Sequence, residues 1–178
     1  VNINGIESPT TDVYGGSAYG FIGYSDESDA AKTNPRTTKV NLNSGSVNDV
    51  YGGSMGSAAI MPLVNTYCVV TVNGGSASSV YGGSNINAET TYRSVVNING
   101  GYVNYVYGGS NRLGSILPTD VNMNGGTVEK LFGGSNVSGT TNNNNVKVNG
   151  GTALNVYGGN NAGGNAVNNK VSLLGGNV

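Results

Sequence analysis

The chain carries a pattern of small apolar and polar residues that returns along its whole length. Each copy reads V-x-V-x-G-G, then four residues, then V-Y-G-G-S, and the clearest copies begin at Val96, Val121 and Val146. The V-x-V triplet has the period of two that predicts a strand, and the apolar positions before Y-G-G predict a second strand. The glycine pairs predict corners between these strands. Each copy is therefore predicted to contain two strands joined by a corner.

The spacing of the copies predicts where insertions enter. The last four copies begin 25 residues apart, whereas the early copies are separated by the longer segments 18–39 and 55–69. Both segments follow G-G-S, and Pro35 and Pro62 within them are typical of loops that lack ladder hydrogen bonds. We predict a single domain over 1–178 with insertion loops at these two places.

The repeat favours a stacked fold. One copy cannot bury its apolar face alone, but copies stacked in register place valine on valine and form a continuous interior. We therefore predict an all-β protein, a parallel β-helix (β-solenoid) of about six to seven turns of about 25 residues with one long insertion loop. An antiparallel β-roll or prism is the alternative, because Asn-Gly between alternating apolar residues also predicts a hairpin. In that alternative Val96 faces Val103 across a tight reversal.

The second polar position of V-x-V-x-G-G is almost always asparagine. In stacked copies an amide can donate to one neighbour and accept from the other, so we predict a confined ladder of amides. The first polar position varies more and is predicted to face solvent. The residues of the predicted ladder are Asn4, Asn43, Asn73, Asn99, Asn124 and Asn149.

An aromatic residue precedes the second glycine pair in every complete copy. In a regular strand these rings point outward, and stacking them level on level predicts a structural ladder. The alternative is a flat aromatic strip that binds sugar rings. The residues concerned are Tyr14, Tyr51, Tyr81, Tyr107, Phe132 and Tyr157.

Composition narrows the possible functions. The 178 residues include 8 Lys and Arg against 9 Asp and Glu, so the chain lacks the positive field that holds nucleic acid. No apolar run is long enough to predict a membrane span. Cys68 is the only cysteine and histidine is absent, which excludes an intrachain disulfide, a thiolate metal cage and histidine-based catalysis. No enzyme activity, cofactor or nucleic-acid partner is expected.

Three polar features of the sequence are candidates for chemical sites. Asp12 and Asp49 share one motif position, so in-register stacking brings two carboxylates together and makes Ca²⁺ conceivable there. The acidic run 25–29 lies in the longest insertion and does not match a calcium-loop spacing. Asn136 begins an N-glycosylation sequon, which has meaning only in a eukaryotic secretory chain. A solvated surface is the expectation for the acids.

The turn V-N-I-N-G-G-x-V-x-x-V-Y-G-G-S resembles the repeats of large bacterial surface and secreted proteins, including adhesin-like shafts that are taken to be parallel β-helices. The likeness covers the chain apart from the insertion loops. It implies an extracellular or cell-surface location and a structural or adhesive role, and it identifies no catalytic or ligand-contacting residue. Pectinase-like lyases and tailspikes also use β-helices, so the scaffold alone does not decide function.

The uniform turns lead us to expect a non-enzymatic extracellular structural or adhesive β-solenoid. It is expected to be a shaft segment of a surface protein or a subunit that stacks end to end into a fibre. Its expected partners are itself, surface glycans or host proteins. A carbohydrate-binding or carbohydrate-cleaving β-helix is the alternative. Ice binding is a third hypothesis, for which Thr127 and Thr152 supply only a fragment of the flat threonine face required.

Overall fold

The computed structural model describes residues 1–20, 22–23, 36–57, 59–60, 63–86, 89–90 and 93–178. These residues form strands and turns. In chain order the first strands are β1 (Asn2–Ile3), β2 (Ile6–Ser8), β3 (Val13–Tyr14), β4 (Ile22–Gly23), β5 (Arg36–Leu42), β6 (Gly45–Tyr51), β7 (Leu63–Val72), β8 (Ser76–Tyr81), β9 (Glu89–Thr90) and β10 (Arg93–Ile98). The later strands are β11 (Tyr102–Tyr107), β12 (Ser115–Ile116), β13 (Thr119–Met123), β14 (Thr127–Phe132), β15 (Thr140–Asn142), β16 (Asn145–Val148), β17 (Thr152–Tyr157), β18 (Asn165–Val167) and β19 (Lys170–Leu173).

The strands lie on three faces of a coil. The V-x-V segments form the first face, in the order β1, β5, β7, β10, β13, β16 and β19. The V-Y segments form the second face, which is a 7-stranded sheet of β2, β3, β6, β8, β11, β14 and β17. The third face holds the short strands β4, β9, β12, β15 and β18 together with the first residues of β7, which also belongs to the first face.

Every strand pair among the described residues is parallel and in register. Val96 lies between Val70 and Val121, and Val103 lies between Ala77 and Val128 on another face. The protein is therefore a parallel β-solenoid, as predicted, and the antiparallel alternative is wrong. The solenoid has about five turns over its described part, slightly fewer than the six to seven predicted.

The core is a set of aliphatic columns between the three faces. On the first face alternate residues point inward, so both apolar residues of V-x-V are buried, as at Val96 and Ile98. On the second face the inward residues Val103 and Val106 are three positions apart, and the pairing register passes from Val103 directly to Tyr105. This break in alternation leaves two successive side chains, Asn104 and Tyr105, on the outer surface. The core therefore stays narrow, and one level packs almost entirely on the next.

The two glycine pairs serve different purposes. Gly101, the second glycine of N-G-G, has φ +79, a left-handed conformation that other residues adopt only with strain. Gly82, the first glycine of Y-G-G, has no such φ, but a Cβ there would lie 2.4 Å from the carbonyl oxygen of Gly108 on the next level. One corner needs glycine for its backbone angle, and the other needs it because adjacent levels stack closely.

The predicted insertions differ from the observed elements at their later ends. Residues 36–39 belong to β5 and residues 63–69 belong to β7, so both segments return to the solenoid before the next V-x-V begins. The acidic run 25–29, Pro35 and Pro62 lie outside the described residues. The third face went unpredicted because its strands are only two or three residues long in the regular turns.

Candidate functional site

The asparagines of the N-G corner form one continuous ladder. Each side-chain amide nitrogen donates to the amide oxygen of the level before it, as from Asn99 to Asn73 at 2.9 Å and from Asn124 to Asn99 at 2.9 Å. The remaining steps are Asn43 to Asn4, Asn73 to Asn43 and Asn149 to Asn124, at 2.9, 2.8 and 2.8 Å. The direction is the same at every step, so each bond polarises the next one.

This ladder is exposed, which differs from the confined position predicted for it. All six asparagines lie on the outer surface of the corner, where water competes for the same amides. The first polar position also pairs where two asparagines meet, from Asn41 to Asn2 at 2.8 Å and from Asn122 to Asn97 at 3.0 Å. Repetition of asparagine therefore reports level-to-level pairing and carries no information about burial.

The aromatic residues of V-Y-G-G stack along the second face. Consecutive ring centroids are 4.7–5.1 Å apart and the ring planes lie within 9° of parallel. This spacing is close to the distance between neighbouring strands, so the rings follow the pitch of the sheet. The rings lie outside the aliphatic core and form their own buried cluster.

The aromatic column is closed to solvent over its middle. Tyr51, Tyr81, Tyr107 and Phe132 are each no more than 3% exposed, whereas the last ring, Tyr157, is 44% exposed. The stacked faces cover one another, so a sugar ring finds no free aromatic face in the middle of the column. The predicted alternative of a sugar-binding strip is therefore wrong for the middle of this column. The rings point away from the core there, but they are covered and not exposed to solvent.

A second asparagine ladder covers the edges of the rings, and the sequence reasoning missed it. It consists of the residue after G-G-S or G-G-N, with Asn111 donating to Asn85, Asn136 to Asn111 and Asn161 to Asn136, each at 2.9 Å. Asn136 also donates to the Tyr81 hydroxyl at 3.3 Å. The signal was the asparagine that follows G-G-S or G-G-N in the last four complete copies, where the first two copies have Ala18 and Met55. The Asn136 amide at the sequon thus has three partners: its nitrogen donates to Asn111 and Tyr81, and its oxygen accepts from Asn161.

Burial changes the acid–base behaviour of this column. Burial raises the pKa of Tyr81 to about 12, and it also raises the pKa of Tyr51 and Tyr107 above the usual tyrosine value. The Tyr51 hydroxyl donates to Asp49 at 3.0 Å, and burial raises the pKa of the Asp49 carboxyl. These groups are therefore held in their neutral forms more strongly than in an unfolded chain.

Hydroxyl side chains in the early part of the first-face strands fill the interior beside the Y-G-G corner. Thr38 donates to the Gly52 carbonyl at 2.6 Å, Ser94 donates to that of Gly108, and Thr119 donates to that of Gly133 at 2.5 Å. Cys68 lies in the same column, between Thr38 and Ser94, and is fully buried. The three hydroxyls satisfy carbonyl groups of the Y-G-G corner inside the solenoid.

The serines of G-G-S form a parallel column inside the same corner. The backbone nitrogen of Ser54 donates to the Ser84 hydroxyl at 2.9 Å, and the nitrogen of Ser84 donates to the Ser110 hydroxyl at 3.1 Å. The pattern continues from Ser110 to Ser135 at 3.2 Å and from Ser135 to Asn160 at 2.7 Å. The sequence shows this serine clearly, and its inward position explains why it recurs.

The two carboxylates at the equivalent motif position are neighbours, as in-register stacking requires. Val13 pairs with Val50, and the Asp12 carboxylate accepts from the Asn48 amide at 2.8 Å and from the Asp49 backbone nitrogen at 3.3 Å. Within the described residues no group of three or more His, Cys, Asp and Glu side chains could hold a metal ion. The Asp12 carboxylate is instead bonded to protein donors of the next level.

Comparison of the chain with protein-family models, with curated proteins and with solved structures gives no match. Among the described residues no helix is long and apolar enough to cross a membrane. Chemically, the arrangement of the ladders joins each level to the next by aligned amides, stacked rings and backbone bonds.

Proposed function

We propose that the chain is a non-enzymatic structural or adhesive β-solenoid of the cell surface or extracellular space, acting as a rigid shaft segment or as a fibre subunit. The observation that supports this is the repetition of the same contacts at each level. Amides, rings and strand bonds all run along the coil axis, as at Asn99, Tyr107 and Val96. Force applied along that axis is therefore carried by every face at once.

The uniform direction of the amide ladders supports assembly from identical levels. Each asparagine offers its oxygen to one side and its nitrogen to the other, as Asn111 does between Asn85 and Asn136. An added level, from the same chain or from a second copy, bonds through the same contacts without a new interface. Such head-to-tail addition gives an open filament instead of a closed ring.

Single-molecule stretching between the first and last residues tests the shaft role. We expect discrete rupture steps, because levels bonded in the same way open one after another. Each regular level holds 25 residues between equivalent asparagines. Its release lengthens the chain by roughly 80–90 Å. A smooth extension at low force, without such steps, contradicts a load-bearing role.

Electron microscopy of the purified chain over a range of concentrations tests the fibre role. Filaments one solenoid wide, growing with concentration, support head-to-tail stacking. Dispersed particles at every concentration exclude self-assembly and leave the shaft segment as the proposal. Sedimentation of the same samples provides an independent measure of particle mass.

Location is tested separately with an antibody raised against the folded chain. The low charge and the single buried cysteine are compatible with a protein outside the cell. We expect the antibody to label intact source cells or their medium without permeabilisation. Labelling that appears only after permeabilisation contradicts the proposed location.

A further inference from the structure

The outer surface of the second face contains a notch, defined here by Pro9, Ser46, Ser76, Ser78, Tyr102 and Asn104. Its volume is about 160 Å³. It lies apart from the buried aromatic column, on the side of the face nearer the N-G corner. None of the ladders described above occupies it.

The notch exists because small residues are stacked between large ones. In the outward column of this face, Ser46 pairs with Ser76 and Ser76 pairs with Tyr102. The two serines leave space that the Tyr102 ring bounds at one end. Pro9, in the widened first turn, bounds it at the other end. The corresponding positions of the following levels are Thr127 and Thr152, which continue the column beyond the tyrosine.

The lining offers one aromatic surface and several hydrogen-bonding groups. Tyr102 is 42% exposed, and its hydroxyl donates to Glu129, which fixes the ring at the edge of the notch. The hydroxyls of Ser46 and Ser76 are bonded to each other at 3.0 Å. Within the part of the chain that the structure describes, the side chains of Ser78 and Asn104 make no hydrogen bond, although both are half-buried. A hydroxyl and an amide are thus available to a ligand.

The chemistry of the lining indicates a neutral, polar ligand with an apolar side. The lining includes no Lys or Arg side chain, so it offers no positive charge to hold an anion. Two carboxylates adjoin the notch without lining it: Glu7 pairs with Ser46, and Glu129 is already bonded to Tyr102. A pyranose ring carries a face of C–H groups that packs on an aromatic ring and hydroxyls that pair with amides and serines. The notch is smaller than the roughly 300–1,000 Å³ of sites for drug-sized ligands, so it suits one sugar unit.

We propose that this notch binds a single neutral pyranose unit of a glycan. The sugar packs its C–H face on the Tyr102 ring, and its hydroxyls pair with the Asn104 amide and the Ser78 hydroxyl. This site goes beyond the structural role proposed above and does not depend on it. A shaft with such a notch is able to attach to a saccharide surface along its side.

The test is saturation-transfer NMR and titration with a panel of neutral methyl glycosides, at concentrations on the order of 10 mM. At least one glycoside is expected to receive saturation from the protein and to shift the resonances of Tyr102 and Asn104. Tyr102→Thr introduces the residue found at this position in the following levels, and Ser76→Tyr fills the notch. Each is expected to weaken binding by roughly tenfold or more.

The matched control is Tyr19→Ala, which removes another exposed tyrosine far from the notch on the G-G-S corner. It is expected to leave binding unchanged, and circular dichroism verifies that all three variants keep the fold. The proposal is overturned if no glycoside of the panel binds the wild-type chain. It is equally overturned if binding survives both notch variants, or if the shifted resonances belong to the aromatic column.

Discussion

The aromatic column and the asparagine ladder of the N-G corner repeat with equal regularity, yet they lie in opposite environments. The Tyr81 ring is 3% exposed, whereas Asn99 lies on the exposed corner. The rings gain stability from apolar area removed from water, and the exposed amides gain only the small net benefit of exchanging water for one another. Equal repetition in the sequence therefore hides a large difference in free energy, which the following variants measure.

Tyr81→Ala is expected to have the largest effect. The variant leaves a gap between the rings of Tyr51 and Tyr107, which stack on it at 4.7 and 4.9 Å. The free energy of unfolding should fall by about 3–5 kcal/mol. Urea denaturation followed by circular dichroism measures this loss. Tyr81→Phe is the control, because Phe132 fills the equivalent place without a hydroxyl, and a loss as large as that of the alanine variant would contradict the stacking argument.

Alkaline pH is expected to destabilise the aromatic column next. Burial raises the pKa of Tyr81 to about 12, from the value of 10.0 that applies to an unfolded chain. The unfolded chain thus loses its proton first, so stability is intact below pH 10 and falls as the pH rises towards 12. Urea denaturation at a series of pH values measures the fall. Tyr81→Phe should show a smaller fall, and equal falls in both chains would count against a role of this hydroxyl.

Asn99→Ala tests the exposed side of the comparison. It removes the bond to Asn73 and the bond from Asn124 at a corner that is open to water. We expect a loss of about 1 kcal/mol, because water can replace both partners. The same denaturation experiment measures it. A loss equal to that of Tyr81→Ala would show that exposure does not weaken the ladder.

Asp49→Asn should have the smallest effect, at the edge of the aromatic column. Burial raises the pKa of this carboxyl, so its charge opposes folding at neutral pH and stability is gained as the pH falls towards the unfolded value. The amide keeps an acceptor for Tyr51, and Asn155 already occupies the equivalent position. We expect a gain below about 1 kcal/mol at pH 7. Thermal scans at a series of pH values should show that the variant no longer gains stability as the pH falls. If the variant still gains as much as the wild-type chain, another group is responsible for the gain.

The sequence predicted the stacking, the register and the membership of the two prominent columns, because each depends on residue type at a fixed spacing. Burial was harder to predict. Tyr81 points away from the aliphatic core, as strand alternation predicted, but the second asparagine ladder covers its edge through Asn136. That ladder was not predicted, because its asparagines begin the segment after G-G-S, which varies in length between copies. The third face was missed because its strands, such as β12 (Ser115–Ile116), are too short to show a hydrophobic period. The notch depends on neighbours from four levels, which no single copy contains.

The in-register corners also bear on how such a chain changes length during evolution. Equivalent glycines of the regular levels, such as Gly101 and Gly126, have nearly the same φ and meet the glycine backbone of the neighbouring level. Recombination between two copies therefore joins ends that already match, and it adds or removes one whole rung without altering the cross-section. The length of the solenoid along its axis can thus change in increments of about 4.8 Å, the distance between neighbouring strands.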